Sequence, residues 1–297
     1  MAEVLRPDGD GWRLGEAPWR PDNDFYAVIG DPVAHSLSPR MHAAALAERA
    51  LPHRYVALRV TADELPALKA RAADGRTGRL AGFNVTAPHK EAVAALCDGR
   101  TDQARALGAV NTVRVENGRW LGHNTDSGGL LAVLSQVWAP GEAVPPLGVV
   151  LGTGGSARAA VDALLRWGVE SVEVRYRSEA SGTRFAAWLE ARGLADDIAL
   201  SPLASEAEPM PEAPSAWICC LAGGVDARPF LPAAAGPETA LLVDVRYGDQ
   251  LPAGAPPLGF RFSDGLPLLL MQGGLSFAWW FGPPVPWAGM LGALPQR

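Results

Sequence analysis

Gly152, Gly154 and Gly155 stand in LGTGGSARAA, after a continuous apolar run (PLGVVL) and at the head of an alanine-rich segment. Glycines spaced this way let backbone amides approach a pyrophosphate, and the N-terminus of the helix that follows favours its negative charge. The amides of Ser156 and Ala157, with Arg158 one residue further on, extend that turn. A plainer reading is a tight strand-to-helix turn with no ligand. A second set of polar residues lies upstream: Ser36 and Ser38, then Asn84, Thr86 and Lys90, then Asn111, then Asn124-Thr125-Asp126. Each has an ordinary explanation as loop, turn or helix cap. Together they could read a small polyhydroxylated acid through short hydroxyls and amides. Lys90 is the puzzle among them. Most lysines are solvated and inert, yet this one falls in a helix's first turn, at the wrong end of the dipole for a cation.

The strand after the glycine turn decides which dinucleotide fits. An NAD site places Asp or Glu at the tip of that strand, about 20 residues past the glycines, for the ribose 2′-hydroxyl. Here the tip reads Val174-Arg175-Tyr176-Arg177-Ser178, with no acid. Arg177 and Ser178 suit a 2′-phosphate instead, and Arg158 could approach the same region. NADP is therefore expected ahead of NAD. A solvated strand-end arginine is the bland alternative.

The elements that must position these residues alternate. FYAVIG (25–30), RYVALRV (54–60) and LAGFNVT (80–86) read as strands, with RMHAAALAERAL and TADELPALKARAA as helices between them. From residue 147 the pattern restarts: strand, glycine turn, helix, then SVEVRYR, FAAWLEARG, SAWICCLAGG and ALLVDVRY. This predicts a two-domain α/β protein with mostly parallel sheets, the second domain Rossmann-like. Open sheets of this kind bind ligands at the carboxyl ends of their strands, where the polar residues fall. Two Pro-rich stretches, SPLASEAEPMPEAPSA and GDQLPAGAPPLG, read as connecting loops. The first 24 residues read as a polar extension before the fold, with Trp12 and Trp19 available to pin it.

Composition narrows the partners. The 297 residues carry a net charge of -6 and no basic block, so nucleic acid is not expected as a partner. The three cysteines, Cys97, Cys219 and Cys220, have neither disulfide nor zinc spacing, so no metal is expected and a reducing cytoplasm fits. GLPLLLMQGGLSFAWWFG is interrupted by Pro267, Gly273 and Gly274 and reads as a buried helix rather than a membrane span.

The motifs HSLSPRMH, GFNVTAPHK, GAVNT, GHNTDSGG, GTGGSAR, VDVRY and SDGLPLLLMQ, in this order from about residue 30 to 281, resemble the shikimate dehydrogenase family. The resemblance implies a substrate domain (25–125 with 266–297) and an inserted NADP domain (126–265). It implies reversible reduction of 3-dehydroshikimate to shikimate, by a monomer or homodimer. Lys90 and Asp126 match the family's catalytic pair. Ser36 and Ser38, with Tyr247, match the positions that bind the substrate carboxylate. Asn84, Thr86, Asn111 and Gln272 match those that hold the ring hydroxyls, and Gly265 matches one whose carbonyl meets the nicotinamide amide. Reduction builds an alkoxide, which an ammonium can protonate or stabilise; acid–base help of this kind is worth roughly 10²–10⁴ in rate, and a facing carboxylate orients the hydroxyl.

Several positions depart from the family. Cys219-Cys220-Leu221 replaces a polar Asn-Ala-Thr-type stretch, and Ala43 replaces an asparagine. GDQLPAG lacks a Pro-x-x-Thr pattern, and Ser181 stands where a second arginine is common, with Arg184 as a substitute. These changes leave open a paralogue acting on quinate or an amino analogue, or a protein that binds the ligand without turning it over.

Overall fold

The computed structural model describes residues 4–8, 11–72, 79–138, 141–203, 211, 213–232, 239–253 and 259–295. The chain divides into two compact units, residues 1–125 with 272–297, and residues 126–271. Parts of both Pro-rich loops (204–210, 212 and 254–258), of the N-terminal segment (1–3, 9–10) and of the C-terminal tail (296–297) lie outside the described residues.

The first unit is built on β1 (Val4–Asp8), β2 (Gly11–Leu14), β3 (Ala17–Trp19), β4 (Phe25–Gly30), β5 (Arg54–Arg59), β6 (Leu80–Val85), β7 (Gly99–Arg100), β8 (Thr112–Glu116) and β9 (Arg119–His123). They form a nine-stranded sheet in the order β3-β2-β1-β5-β4-β6-β8-β9-β7. Its helices are α1 (Ser38–Glu48), α2 (Leu65–Ala72), α3 (Lys90–Leu96) and α4 (Asp102–Leu107). All six residues of β4 are buried, as expected of a central strand covered on both faces.

The sheet is more mixed than the strand–helix alternation predicts. β5, β4 and β6 are parallel, but β8 runs antiparallel to β6, and β9 antiparallel to β8. The reversal between β8 and β9 is an Asn117-Gly118 turn, with φ +52° and +75°. Two successive positive φ values define a turn whose twist matches a hairpin.

The N-terminal segment is also part of the fold rather than an extension before it. β1 pairs parallel with β5, and β2 and β3 complete an antiparallel meander. Leu5 is fully buried, and Trp12 and Trp19 meet Phe25 edge-on at 5.3 and 4.9 Å. The tryptophans anchor the meander because only large apolar rings can offset the ordering of so short a set of strands.

The second unit opens with α5 (Asp126–Val137), followed by β10 (Leu147–Leu151), α6 (Gly155–Trp167), β11 (Ser171–Tyr176), α7 (Glu179–Glu190), β12 (Ile198–Pro202), β13 (Ser215–Cys219), β14 (Ala240–Asp244) and β15 (Arg261–Ser263). The strands order as β12-β11-β10-β13-β14-β15, all parallel. This is the doubly wound dinucleotide-binding order, with its switch point between β10 and β13.

Two helices close the chain, α8 (Gly265–Phe281) and α9 (Trp287–Gly292), and the division between units falls inside α8 at Gln272. α8 is the buried helix expected from its sequence. Its glycines serve close packing: a Cβ at Gly273 would stand 2.2 Å from Met41 Cε, and one at Gly274 2.2 Å from the Trp287 ring. No helix among the described residues is long and apolar enough to cross a membrane.

Candidate active site

In the first unit, strand direction gathers the polar residues at one edge. β4 and β6 are parallel, so Gly30 and Val85 end on the same side. β8 runs the other way, which sets its first residue, Thr112, opposite Asn84, and β9 returns so that His123 faces Thr112. The segments leaving that edge carry Ser36 and Ser38, Thr86 and Lys90, Asn111, and Asn124-Thr125. Asp126 follows directly as the first residue of α5 in the second unit, and is buried.

Beneath the edge lies a buried network. Asn84 Oδ1 accepts from Tyr55 Oη at 2.7 Å. Its amide faces Ser276 Oγ at 2.8 Å, Thr112 Oγ1 at 3.0 Å and the Asn111 carbonyl at 3.2 Å. An amide has two hydrogens to give, so the Asn84 amide is spent inside the protein and braces the edge. Its Oδ1, with two lone pairs and Tyr55 as donor, can still accept from a hydroxyl. Asn111 is held in turn: its Oδ1 accepts from the Thr125 N–H at 2.8 Å, and its amide donates to Thr125 Oγ1 at 2.9 Å and lies 3.4 Å from Gln272 Oε1. Ser276 also meets Thr112 Oγ1 at 2.8 Å and Thr125 Oγ1 at 3.1 Å. Sequence reasoning missed Tyr55, Thr112 and Ser276. The only signal for Ser276 is a lone hydroxyl in an apolar helix. His42 stacks on Tyr55 with ring centroids 4.3 Å apart, and burial pushes its pKa down to about 3, so the ring is neutral.

Thr86 sits against Gly30: a Cβ there would stand 2.4 Å from Thr86 Cγ2, so glycine leaves the room that the threonine occupies. Lys90 is the first residue of α3, half-buried, and its carbonyl accepts from the Val110 N–H at 3.0 Å. The preceding His89 is buried, and its Nε2 donates to the Val60 carbonyl at 2.7 Å. That anchor fixes the helix start and with it the backbone of the cationic residue. At the first loop, Ser36 Oγ accepts from the Ser38 N–H at 3.3 Å, which organises the head of α1.

In the second unit the glycine turn joins β10 to α6. Gly152 has φ +110°, and a Cβ there would stand 2.9 Å from the Cys220 carbonyl oxygen, so glycine is required on both counts. Gly154 is exposed, and a Cβ there would meet nothing within 4 Å. No side chain caps α6. An uncapped helix start behind open backbone is the donor set that a pyrophosphate needs, and the residues fit a dinucleotide.

Arg177 is exposed at the tip of β11, and no ion pair engages it among the described residues. Ser178 is taken up as the N-cap of α7, exchanging hydrogen bonds with Ser181 at 3.4 Å. Ser181 thus has a capping role where the family often has arginine. Arg158 is buried, with its guanidinium 5.6 Å from the Trp188 ring centre. Tyr247 is half-buried just before a short turn of helix, Gly248–Gln250. The Gly265 N–H donates to the Arg246 carbonyl at 2.8 Å. Burial, with Asp244 nearby, pushes the Cys219 thiol up to about 12, so this cysteine is a small buried hydrophobe rather than a nucleophile.

The chain is similar to known proteins over most of its length. Residues 28–113 match the family model described as the shikimate dehydrogenase substrate binding domain. The structure of a shikimate 5-dehydrogenase from Thermus thermophilus, in complex with NADP(H) and shikimate, superposes with a TM-score of 0.69 at 30% identity, covering 91% of this chain and 98% of that one. A 5-ketofructose reductase of Gluconobacter gives a TM-score of 0.70 at 27% identity, over 91% of this chain and 97% of that one. A protein of Anaeromyxobacter sp. (strain Fw109-5) named shikimate dehydrogenase (NADP(+)) is 39% identical over 278 residues, 91% of this chain and 95% of the relative. With likeness of that degree running almost from end to end, this chain belongs to the shikimate dehydrogenase family.

Proposed function

We propose that this protein catalyses the reversible NADP-linked interconversion of 3-dehydroshikimate and shikimate, in the cytoplasm, as a monomer or homodimer. The first unit holds the substrate and the second the dinucleotide. The observation that carries this reading is the single sheet edge from which Ser36, Ser38, Thr86, Lys90 and Asn111 all leave, in a chain whose other sheet has the dinucleotide-binding order.

In this mechanism Ser36 and Ser38, with Tyr247, orient the substrate carboxylate by hydroxyl donation. Asn84, Thr86, Asn111 and Gln272 hold the ring hydroxyls, with Asn84 also bracing the Asn111 carbonyl from below. Lys90 donates the proton that the carbonyl oxygen takes up, and Asp126 orients the substrate hydroxyl. The turn of Gly152, Gly154, Gly155, Ser156 and Ala157 would hold the pyrophosphate at the head of α6, with the Gly152 amide spent on the Arg175 carbonyl and the Ala157 amide on the Gly154 carbonyl. Arg177 and Ser178 would take the 2′-phosphate, and Gly265 the nicotinamide amide. When bound, NADPH supplies the hydride.

Absorbance at the nicotinamide band, with shikimate and each cofactor in turn, tests the reading. Turnover with NADP well above that with NAD is expected. Lys90→Ala should cut kcat by about 10²-fold or more while NADP binding persists. Ligand binding with no NADP-linked turnover of any shikimate analogue would establish the binding-only alternative.

A second reading, reduction of a related polyhydroxylated ketone such as the quinate or aminoshikimate counterpart, is favoured by two observations. Cys219-Cys220-Leu221 lines the switch point with apolar groups, and a 5-ketofructose reductase shares the fold. Comparing kcat/KM for shikimate and quinate separates the two.

A further inference from the structure

Within VDVRY the ligand-facing role falls to Tyr247, while Arg246 is turned inward and only 3% exposed. Its guanidinium is rich in N–H donors, and acceptors surround it. Nε and Nη2 grip Asp244 at 2.8 and 2.6 Å. Nη1 donates to the carbonyls of Ala222 at 3.0 Å and Val225 at 2.6 Å, and Nη2 also reaches Cys219 Sγ at 3.3 Å. Nothing is left over for a ligand, so this arginine acts on its own chain.

Its backbone extends the same junction. The Arg246 carbonyl accepts from Gly265, and the neighbouring Val245 N–H donates to the Cys219 carbonyl at 3.1 Å. A Cβ at Gly265 would stand 2.3 Å from the Val245 oxygen and 3.0 Å from the Arg246 carbonyl carbon. One residue therefore ties together three connections at the carboxyl ends of adjacent strands: 219–225 after β13, 244–247 after β14, and 264–265 after β15.

In a doubly wound sheet the half that begins with the glycine turn takes one mononucleotide, and the half beyond the switch point takes the other. β13 to β15 form that second half, which faces the nicotinamide. The 219–225 connection also touches the first half, since Gly152 packs on the Cys220 carbonyl. The stretch has lost the polar side chains usual in the family, and the guanidinium supplies its anchor. A buried ion pair is often replaceable by apolar residues without loss of stability. The fold as such gives no reason for an arginine with two loop carbonyls in its grip.

We propose that Arg246 is a positioning residue that fixes the 219–225 connection and Gly265 against the nicotinamide half of the cofactor. The inference rests on the NADP reading above.

The test compares Arg246→Lys, Arg246→Met and the double variant Asp244→Asn/Arg246→Met, which leaves no unpaired buried carboxylate. After a melting check, each is titrated calorimetrically with NADP+ and with 2′,5′-ADP, which lacks the nicotinamide half, and then assayed for kcat. The expected result is 2′,5′-ADP binding within about twofold of wild type, NADP+ binding weaker by about tenfold, which is 1.4 kcal/mol, and kcat lower by at least that factor. Lysine should recover only part of the loss, because a point charge cannot span Asp244 and two carbonyls.

Equal weakening of both ligands, or of neither, in a folded variant overturns the proposal. So does failure of all three variants to fold, which would make Arg246 a folding residue. A wild type that binds NADP+ but does not oxidise shikimate sinks the substrate assignment alone, and the ratio of the two affinities still decides the role of Arg246. A wild type that binds no dinucleotide overturns both.

Discussion

Asn84 and Ser276, 192 residues apart in the chain, share a 2.8 Å hydrogen bond under the edge that carries Lys90 and Thr86. The bond joins β6 to α8 and closes a buried network through Thr112, Thr125, Asn111 and Tyr55. Its members satisfy one another, so removal of any member takes a hydrogen bond from each of its neighbours, at a cost of about 1 kcal/mol for each bond lost.

Asn84→Ala removes one hydrogen bond from each of Tyr55, Thr112, Ser276 and the Asn111 carbonyl, whereas Ser276→Ala removes one from each of the Asn84 amide, Thr112 and Thr125. Urea unfolding should show Asn84→Ala as the more damaging by at least about 1 kcal/mol. Both should raise KM for shikimate more than KM for NADP, because Asn111 loses its bracing. Equal stabilities, or a KM change confined to NADP, would contradict this picture.

Two neighbouring glycines should respond differently to the same change. Gly152→Ala meets both a φ of +110° and the Cys220 carbonyl 2.9 Å from the new Cβ, so the fold should lose about 1–3 kcal/mol along with cofactor binding. Gly154→Ala has open space, with φ -83°. Its melting temperature should match wild type while NADP affinity falls. Calorimetry on both variants, with melting curves, separates a fold requirement from a ligand requirement.

His42 should make stability acid-sensitive. Its pKa is lowered from 6.5 to about 3 by burial, so between those values the unfolded chain binds a proton that the folded chain refuses. The contribution is complete above about pH 6.5 and fades as pH falls toward 3, by roughly 1.4 kcal/mol per unit. His42→Phe keeps a ring against Tyr55 and removes the titration. Urea midpoints at pH 7.5 and pH 5 should differ less in the variant than in wild type.

The N-terminal meander should be structural. Leu5→Ala removes a fully buried side chain and should lower stability by about 2–4 kcal/mol. Deleting residues 1–24 exposes the edge of β5, and an open edge recruits further strands. The truncated protein should aggregate on concentration, read by light scattering; a monodisperse, fully active truncation would show that the meander is dispensable.

Asp126→Asn keeps the size of the side chain and removes its charge. If Asp126 orients the substrate hydroxyl for Lys90, kcat should fall by about 10²-fold while NADP+ binding, measured separately by fluorescence titration, stays within twofold.

The sequence by itself determined the Rossmann-like half almost completely. A buried parallel strand is a continuous apolar run, and glycines between such a run and an alanine-rich helix admit few conformations, so LGTGGSARAA and the strands around it were legible from local pattern. The family motifs likewise named the residues of the candidate site. Tertiary structure decided what those residues do for one another. The antiparallel β8 and β9 turn on Asn117-Gly118, and only pairing with β6 sets Thr112 opposite Asn84, so that the Asn84 amide braces the site from within. Arg158 and Ser178 read from sequence as cofactor ligands; in the fold Arg158 also packs on Trp188 and Ser178 also caps α7. Tyr55 and Arg246 carried no local signal, and Ser276 only that of a lone hydroxyl in an apolar helix, because a hydrogen bond between distant segments leaves no periodicity to read. Nor did local sequence reveal the meander, since its strands are short and gain their stability only from β5 and Phe25. Periodicity records which face of an element is buried, and the partner across the core is settled only when the chain folds.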